Sequence, residues 1–282
     1  MTTDAEGVVH RYQRPPQSVK VVRVHHERIG KDFDYYAVAM TPVWGHKVYA
    51  AECPMEGNLF EYYAMLLTNK IGTVAVISDR SEASAGRRQI DYYRNISSRL
   101  LDKYGARLRV SVSDMVQEPL IWNAAEQLAD ERRGSVSLNV YSCKLTITLN
   151  YAESWTVKVI KLSGWPDMGV ITRRQLSFWK ERIRLKLGRT PGPLLVHCSA
   201  GCGRTGVTLG ALYLDEGLIT DPDMLCTRMT SKRGLRMPIR SEQLALLREY
   251  ADYKNDSRRA PPEPAERGEQ GRRSRRTRCT IS

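Results

Sequence analysis

The stretch PGPLLVHCSAGCGRTGVTLGALYLDEGLI, from Pro191 to Ile219, narrows what this chain can fold into more than any other. PGPLLVH reads as a buried strand and TGVTLGALYLDEGLI as a mostly apolar helix, so neither has a face to give to water. The turn between them, Ser199 to Gly203, is flanked by Cys198 and Arg204. Gly201 and Gly203 let the backbone of that turn curl sharply. A curl of this kind points successive N–H groups inward and forms a nest for anions. The N-terminus of the helix, expected near Thr205, adds partial positive charge at the same spot.

Arg204 supplies a two-pronged clamp for phosphate oxygens, and Cys198 stands at the rim of the electropositive cup. A free thiol titrates near pH 8.5. Beside a cation and a helix N-terminus the value falls to roughly 3.5–7.5. Cys198 is then a thiolate near neutral pH. A nucleophile and a seat for a tetrahedral oxyanion together suit phosphoryl transfer to sulfur.

The rest of the sequence supplies a domain around this unit. GNLFEYYAMLLTNK has apolar residues at helical spacing, and IGTVAVISD after it is a short β-branched run; that order predicts a mixed α/β domain. VKVVRVHHERI and KDFDYYAVAM read as β-rich. RLRVSVSDMV, GSVSLNVYSCKLTITLN and ESWTVKVIKL predict antiparallel strands at one end of the sheet. TRRQLSFWKERIRLKLG is an amphipathic helix ended by a glycine, and SEQLALLREYADY a last helix with Ser241 as its N-cap. Residues 1–17 read as an irregular leader, 18–255 as one domain and 256–282 as a disordered tail poor in large apolar residues.

A thiolate displaces an alkoxide or phenoxide only if the leaving oxygen is protonated, so an acid must come from elsewhere in the chain. GWPDMGV offers Asp167 between a strand and a helix, with a proline and flanking glycines fit for a hinged loop. Taken by itself, Asp167 also suits the cap of the following helix.

HCSAGCGRTG resembles the signature H-C-S-A-G-x-G-R-[ST]-G of cysteine-dependent protein tyrosine phosphatases at every fixed position, and GWPDMGV is similar to that family's mobile W-P-D loop. The resemblance implies a central twisted mixed sheet flanked by helices, and hydrolysis of phosphotyrosine in proteins through phosphocysteine, without a metal or cofactor. It implies that Cys198 attacks phosphorus and that the loop Ser199, Ala200, Gly201, Cys202, Gly203 and Arg204 binds the phosphoryl oxygens. Thr205 would help the sulfur leave, His197 would help hold the thiolate, and Asp167 would act as general acid and then base, with Trp165 anchoring the loop. Ile171 stands where the family often has proline, which predicts altered loop kinetics. DYYAVAM with KVYAAECPMEGNLFEYYAMLL, and TVAVISDRSEASAGRRQIDYY, extend the likeness over most of residues 20–252. They place Glu82 and Arg87 or Arg88 as braces of the active face. Tyr12 takes the place of the tyrosine that packs on the substrate ring. MPIRSEQL is shorter than the family's V-Q-T-x-x-Q segment, which puts Arg240 near the first glutamine and Gln243 near the second. From that departure follows a second reading, a phosphotyrosine-binding module or substrate trap with impaired turnover. A third keeps the chemistry and changes the substrate to phosphoinositide, phosphoserine or RNA 5′-phosphate.

The balance of 44 basic and 31 acidic residues gives a net charge of +13. Such a surface favours phosphates, acidic peptides or anionic membranes as partners; nucleic acid is the least favoured of the wider choices. The six cysteines are scattered and form no C-x-x-C pair, the N-terminal residues lack an apolar signal core, and no run reaches the ~18 apolar residues of a membrane span. These features predict a cytoplasmic protein with reduced thiols, in which Cys202 beside the nucleophile is a candidate for a reversible disulfide. RRSRRTRCTIS fits a C-a-a-X pattern with Cys279 as a farnesyl acceptor and five arginines as a second membrane signal; a solvated basic tail or a nuclear-targeting tail is the other reading.

Overall fold

The computed structural model describes residues 2–3, 9–10, 19–78, 92–93, 99–119 and 136–259. Strands β1 (Thr2–Thr3) and β2 (Val9–His10) pair with each other, a short regular piece within the expected leader. The main sheet is built from β3 (Val21–Val24), β4 (Phe33–Ala39), β5 (Val48–Ala51), β6 (Thr73–Ser78), β7 (Arg99–Lys103), β8 (Ala106–Glu118), β9 (Asn139–Leu149), β10 (Glu153–Ser163) and β11 (Leu194–His197). Its nine strands lie in the order β3-β4-β5-β11-β6-β10-β9-β8-β7. The middle four, β5, β11, β6 and β10, are parallel, and both flanks are antiparallel. Every residue of β6 and β11 is buried, as expected of parallel strands covered on two faces.

Alternate residues of β6 serve two cores. Val74 and Val76 pack with α1 (Leu59–Thr68) on one face. Ala75 and Ile77 pack on the other face with α2 (Arg173–Leu187), α3 (Gly203–Glu216), α4 (Pro222–Arg233) and α5 (Ser241–Arg259). Each fully buried aliphatic side chain in these layers is worth about 1.5–3 kcal/mol. α3 is the central helix of its layer. Trp179 of α2 donates its indole N–H to Thr208 at 3.2 Å. Asp215 joins Lys180 at 3.1 Å and Lys254 at 2.5 Å, tying α2, α3 and α5 together.

Helix ends follow from local chemistry. Thr172 and Gln175 exchange hydrogen bonds across the first turn of α2, a capping box. α4 was not foreseen from the pattern of apolar residues, because its buried face is carried by little more than Leu225 and Met229. Its punctuation is nevertheless in the sequence: Asp221 accepts from the N–H groups of Asp223 and Met224, Pro222 opens the helix, and Gly234 closes it at φ 70°. Ser241 is the first residue of α5 rather than its cap, and its hydroxyl donates to the Glu242 carboxylate at 3.2 Å. That helix runs on to Arg259, past the expected start of the tail at Asp256.

Candidate active site

Parallel strands end at one edge of a sheet, and their carboxyl ends are where such folds place ligands. β11 delivers Cys198 to that edge and β10 delivers the loop bearing Trp165 and Asp167. The turn from Cys198 to Cys202 passes Gly201 at φ 70°, where a Cβ would lie 2.0 Å from the Ala51 carbonyl oxygen; only glycine fits there. The N–H of Cys53 donates to the Ser199 carbonyl at 3.0 Å and ties the turn to the end of β5.

Cys198 and Arg204 are both buried. Burial pushes the Cys198 thiol up, but the Arg204 charge, the hydroxyl and N–H of Thr205 and the N–H of Gly201 outweigh it, so the thiol is held below the ordinary cysteine range. Cys202 shows the contrast. Burial pushes its thiol up to about 11, so it stands as a neutral group, with its Sγ directed at the Ala200 carbonyl at 3.5 Å.

Arg204 also reaches the acid loop. It donates through Nη1 to the Trp165 carbonyl at 3.0 Å and through Nη2 to the Asp167 carboxylate at 2.9 Å. The Trp165 indole is fully buried and donates to the Gly169 carbonyl at 3.1 Å, closing the loop on itself. Gly164, at φ 97° with a Cβ position 2.0 Å from the Ser137 carbonyl oxygen, forms the entry of the loop. Gln243 donates to the same Gly169 carbonyl at 3.2 Å and lies against Gly203, so it touches both the loop and the cup. Arg240 is exposed, and its N–H donates to the Gln243 side chain at 3.4 Å. A cavity of about 440 Å³ opens above, lined by Asp167, Met168, Cys198, Ala200, Leu235 and Ile239 among others. A charged floor with apolar walls suits a phosphate ester on an aromatic ring.

Two supports, Arg233 and the Tyr92 hydroxyl behind His197, were not singled out from the sequence. Arg233, fully buried, donates to the Gly201 carbonyl at 3.4 Å and the Ala200 carbonyl at 3.3 Å, and its guanidinium stacks 3.8 Å from the centre of the Tyr36 ring. It holds those carbonyls outward and leaves the N–H groups to the cup. His197 is fixed from both sides. Its Nδ1 meets the Cys198 carbonyl at 3.1 Å, and its Nε2 meets the Tyr92 hydroxyl at 3.0 Å. A carbonyl only accepts, so Nδ1 carries a proton. In the neutral ring Nε2 then accepts from Tyr92, which in turn accepts from Tyr62 at 2.7 Å.

The structure therefore brings together Cys198, Ser199, Ala200, Gly201, Cys202, Gly203, Arg204, Thr205, His197, Asp167 and Gln243. Tyr12, Glu82, Arg87, Arg88 and Cys279 lie outside the described residues. Among the described residues no group of three or more His, Cys, Asp and Glu side chains is placed to hold a metal, and no helix is long and apolar enough to cross a membrane.

The family model described as protein-tyrosine phosphatase matches residues 15–248. The chain belongs to this family. Tyrosine-protein phosphatase non-receptor type 18 of Mus musculus is 27% identical over 173 residues, which covers 61% of this chain and 33% of that protein. Receptor-type tyrosine-protein phosphatase H of Homo sapiens is 25% identical over 249 residues, covering 84% of this chain and 20% of that protein. The chain thus spans about a third of the first relative and a fifth of the second. The catalytic domain of human protein tyrosine phosphatase non-receptor type 18 superposes with a TM-score of 0.63 at 22% identity, over 86% of this chain and 83% of the other. That likeness bears on the fold, and it agrees with the mixed twisted sheet flanked by helices.

Proposed function

We propose that this chain hydrolyses phosphotyrosine in proteins through a phosphocysteine intermediate. The observation that carries the reading is the single cation, Arg204, that both depresses the Cys198 thiol and holds the Asp167 carboxylate at 2.9 Å. A phosphoryl group entering the cup takes the guanidinium, and the carboxyl is left facing the leaving oxygen. The Cys198 sulfur attacks phosphorus, and the bond from phosphorus to the tyrosine oxygen breaks. The electron pair stays on that oxygen, which takes the proton of Asp167. Water then gives a proton to Asp167 and attacks phosphorus; the phosphorus–sulfur bond breaks and the thiolate returns to Arg204, Thr205 and the N–H of Gly201. Negative charge on the equatorial oxygens is met by N–H groups and a guanidinium already in place, the kind of preorganisation that lowers such barriers most.

Gln243, over Gly203 and beside the acid loop, is positioned to orient the hydrolytic water, which supports turnover rather than trapping. The cup residues Ser199–Gly203 include no lysine, which supports a protein substrate over a multiply charged lipid headgroup. One relative, the phosphatidylinositol phosphatase PTPRQ of Homo sapiens, 23% identical over 205 residues, makes that comparison worth measuring. Steady-state hydrolysis of phosphotyrosine peptides, phosphoserine peptides and phosphoinositide vesicles tests the reading. Turnover confined to phosphotyrosine and abolished in Cys198→Ser is expected. Turnover of the lipid alone, or a single burst followed by a stall, would overturn it.

A further inference from the structure

A second cavity, about 500 Å³, lies away from Cys198 between α2 and the antiparallel strands β8, β9 and β10. Its floor is apolar: Val116, Cys143, Val159 and Leu185 line it, and Val116 and Leu185 are left exposed. Around them stand five cations, Lys144, Lys158, Arg182, Lys186 and Arg189, against two carboxylates, Asp114 and Glu118. The carboxylates are already taken. Asp114 pairs with Lys144 at 2.6 Å, and Glu118 with Lys186 at 2.5 Å and Arg182 at 3.8 Å. Lys158 donates to the Arg189 carbonyl at 2.9 Å, so the two residues meet at one end of the groove. Neither head group has a carboxylate within ion-pair distance among the described residues.

A separate observation points to an anion. Lys144 and Lys158 are direct partners in the β9–β10 ladder. Like charges placed opposite each other weaken a sheet, and only Lys144 has a counter-charge. The surplus is compensated when a negative group binds. The volume is within the ~300–1,000 Å³ range of ligand sites. Inorganic phosphate would leave the apolar floor uncovered; a peptide with carboxylates and an aliphatic side chain covers both parts.

We propose that this groove docks an acidic, aliphatic-containing peptide segment of a protein partner. Carboxylates of the segment pair with Lys158 and Arg189 at one end, and an aliphatic side chain covers Leu185 and Val116. Docking at a second place raises the effective concentration of anything tethered to the segment near the cup. The groove acts by binding alone, so its test is independent of catalysis.

The test is fluorescence anisotropy of a labelled peptide of alternating glutamate and leucine, with a glutamine-and-leucine peptide of the same length and inorganic phosphate as comparisons. Saturable binding of the acidic peptide, absent for the glutamine peptide, is expected. Lys158→Glu with Arg189→Glu should weaken it about tenfold. Leu185→Asp, at an exposed position, should weaken it too, while Arg28→Glu, on an exposed turn that does not line the groove, should leave it unchanged. Equal loss in Arg28→Glu would reveal unspecific attraction to a basic protein and overturn the assignment. So would equal binding of the glutamine peptide, undiminished binding in the double variant with a wild-type thermal midpoint, or full displacement by phosphate at the peptide's own concentration.

Discussion

The two cavities are close in volume, about 440 Å³ over Cys198 and about 500 Å³ beside α2, yet they hold charge in opposite ways. Over Cys198 the cation is buried: the Arg204 side chain is 1% exposed, and it gives one N–H to a carbonyl and one to a carboxylate. Along the groove the cations are more open to water, from 18% exposure of the side chain at Arg182 through 30% at Lys186 to 52% at Lys144. A buried charge with fixed partners acts on a reacting atom without reorganising. Exposed charges are screened over about 8–10 Å at ordinary salt. Cavity size therefore does not separate a place for chemistry from a place for docking; the partners of its charges do.

The largest effect that sharpens this contrast is expected at Asp167. Asp167→Asn keeps the shape of the loop and removes the proton donor, so kcat on phosphotyrosine peptides should fall about 10²- to 10⁴-fold. An ester whose leaving group needs no proton, such as a nitrophenyl phosphate, should lose far less. Equal losses on both substrates would mean that Asp167 merely shapes the cup. The acidic peptide should bind the groove of this variant as it binds wild type.

A smaller effect compares the packing of the two places. Gly201→Ala puts a Cβ 2.0 Å from the Ala51 carbonyl oxygen at a φ of 70°. It should cost more than about 2 kcal/mol in denaturant unfolding and lower activity with it. Leu185→Ala in the groove, at an exposed position, should stay within about 0.5 kcal/mol of wild type. Similar costs at both positions would remove the distinction between a built cup and a surface groove.

What the sequence disclosed follows the same divide. Cys198, Arg204 and Thr205 share one turn of chain, and Asp167 sits in a loop whose proline, tryptophan and glycines mark it, so their meeting was legible. β6 and β11 were legible as buried strands, because each is a short continuous apolar run. β10 reads as an antiparallel strand at one end of the sheet, and it pairs antiparallel with β9 but parallel with β6, so it joins the flank to the centre. Arg233, Tyr92 and Tyr62 were not, because their contacts with the cup span 32 residues from Arg233 to Gly201 and 105 from Tyr92 to His197. No local pattern says that a buried arginine will turn two carbonyls outward. α4 escaped for a different reason: its apolar face is thin, and its caps are all that announce it. The groove was invisible because Lys144 and Lys158 become neighbours only through strand register.

The smallest expected effect separates groups that touch the thiol from groups that act through another. Tyr92→Phe removes the hydroxyl that satisfies Nε2 of His197 in a fully buried place. An unpaired buried acceptor costs about 1–3 kcal/mol, so the denaturant midpoint should fall. The pH at which Cys198 becomes reactive to an alkylating agent should hardly move, because burial is opposed there by Arg204, Thr205 and Gly201, not by Tyr92. Thr205→Ala removes one of the groups that lower the thiol, so its alkylation should begin at higher pH than in wild type. A Tyr92→Phe protein that shifted as far upward would show that the tyrosine pair sets the charge of the sulfur, rather than only holding His197 in the tautomer that braces the Cys198 carbonyl.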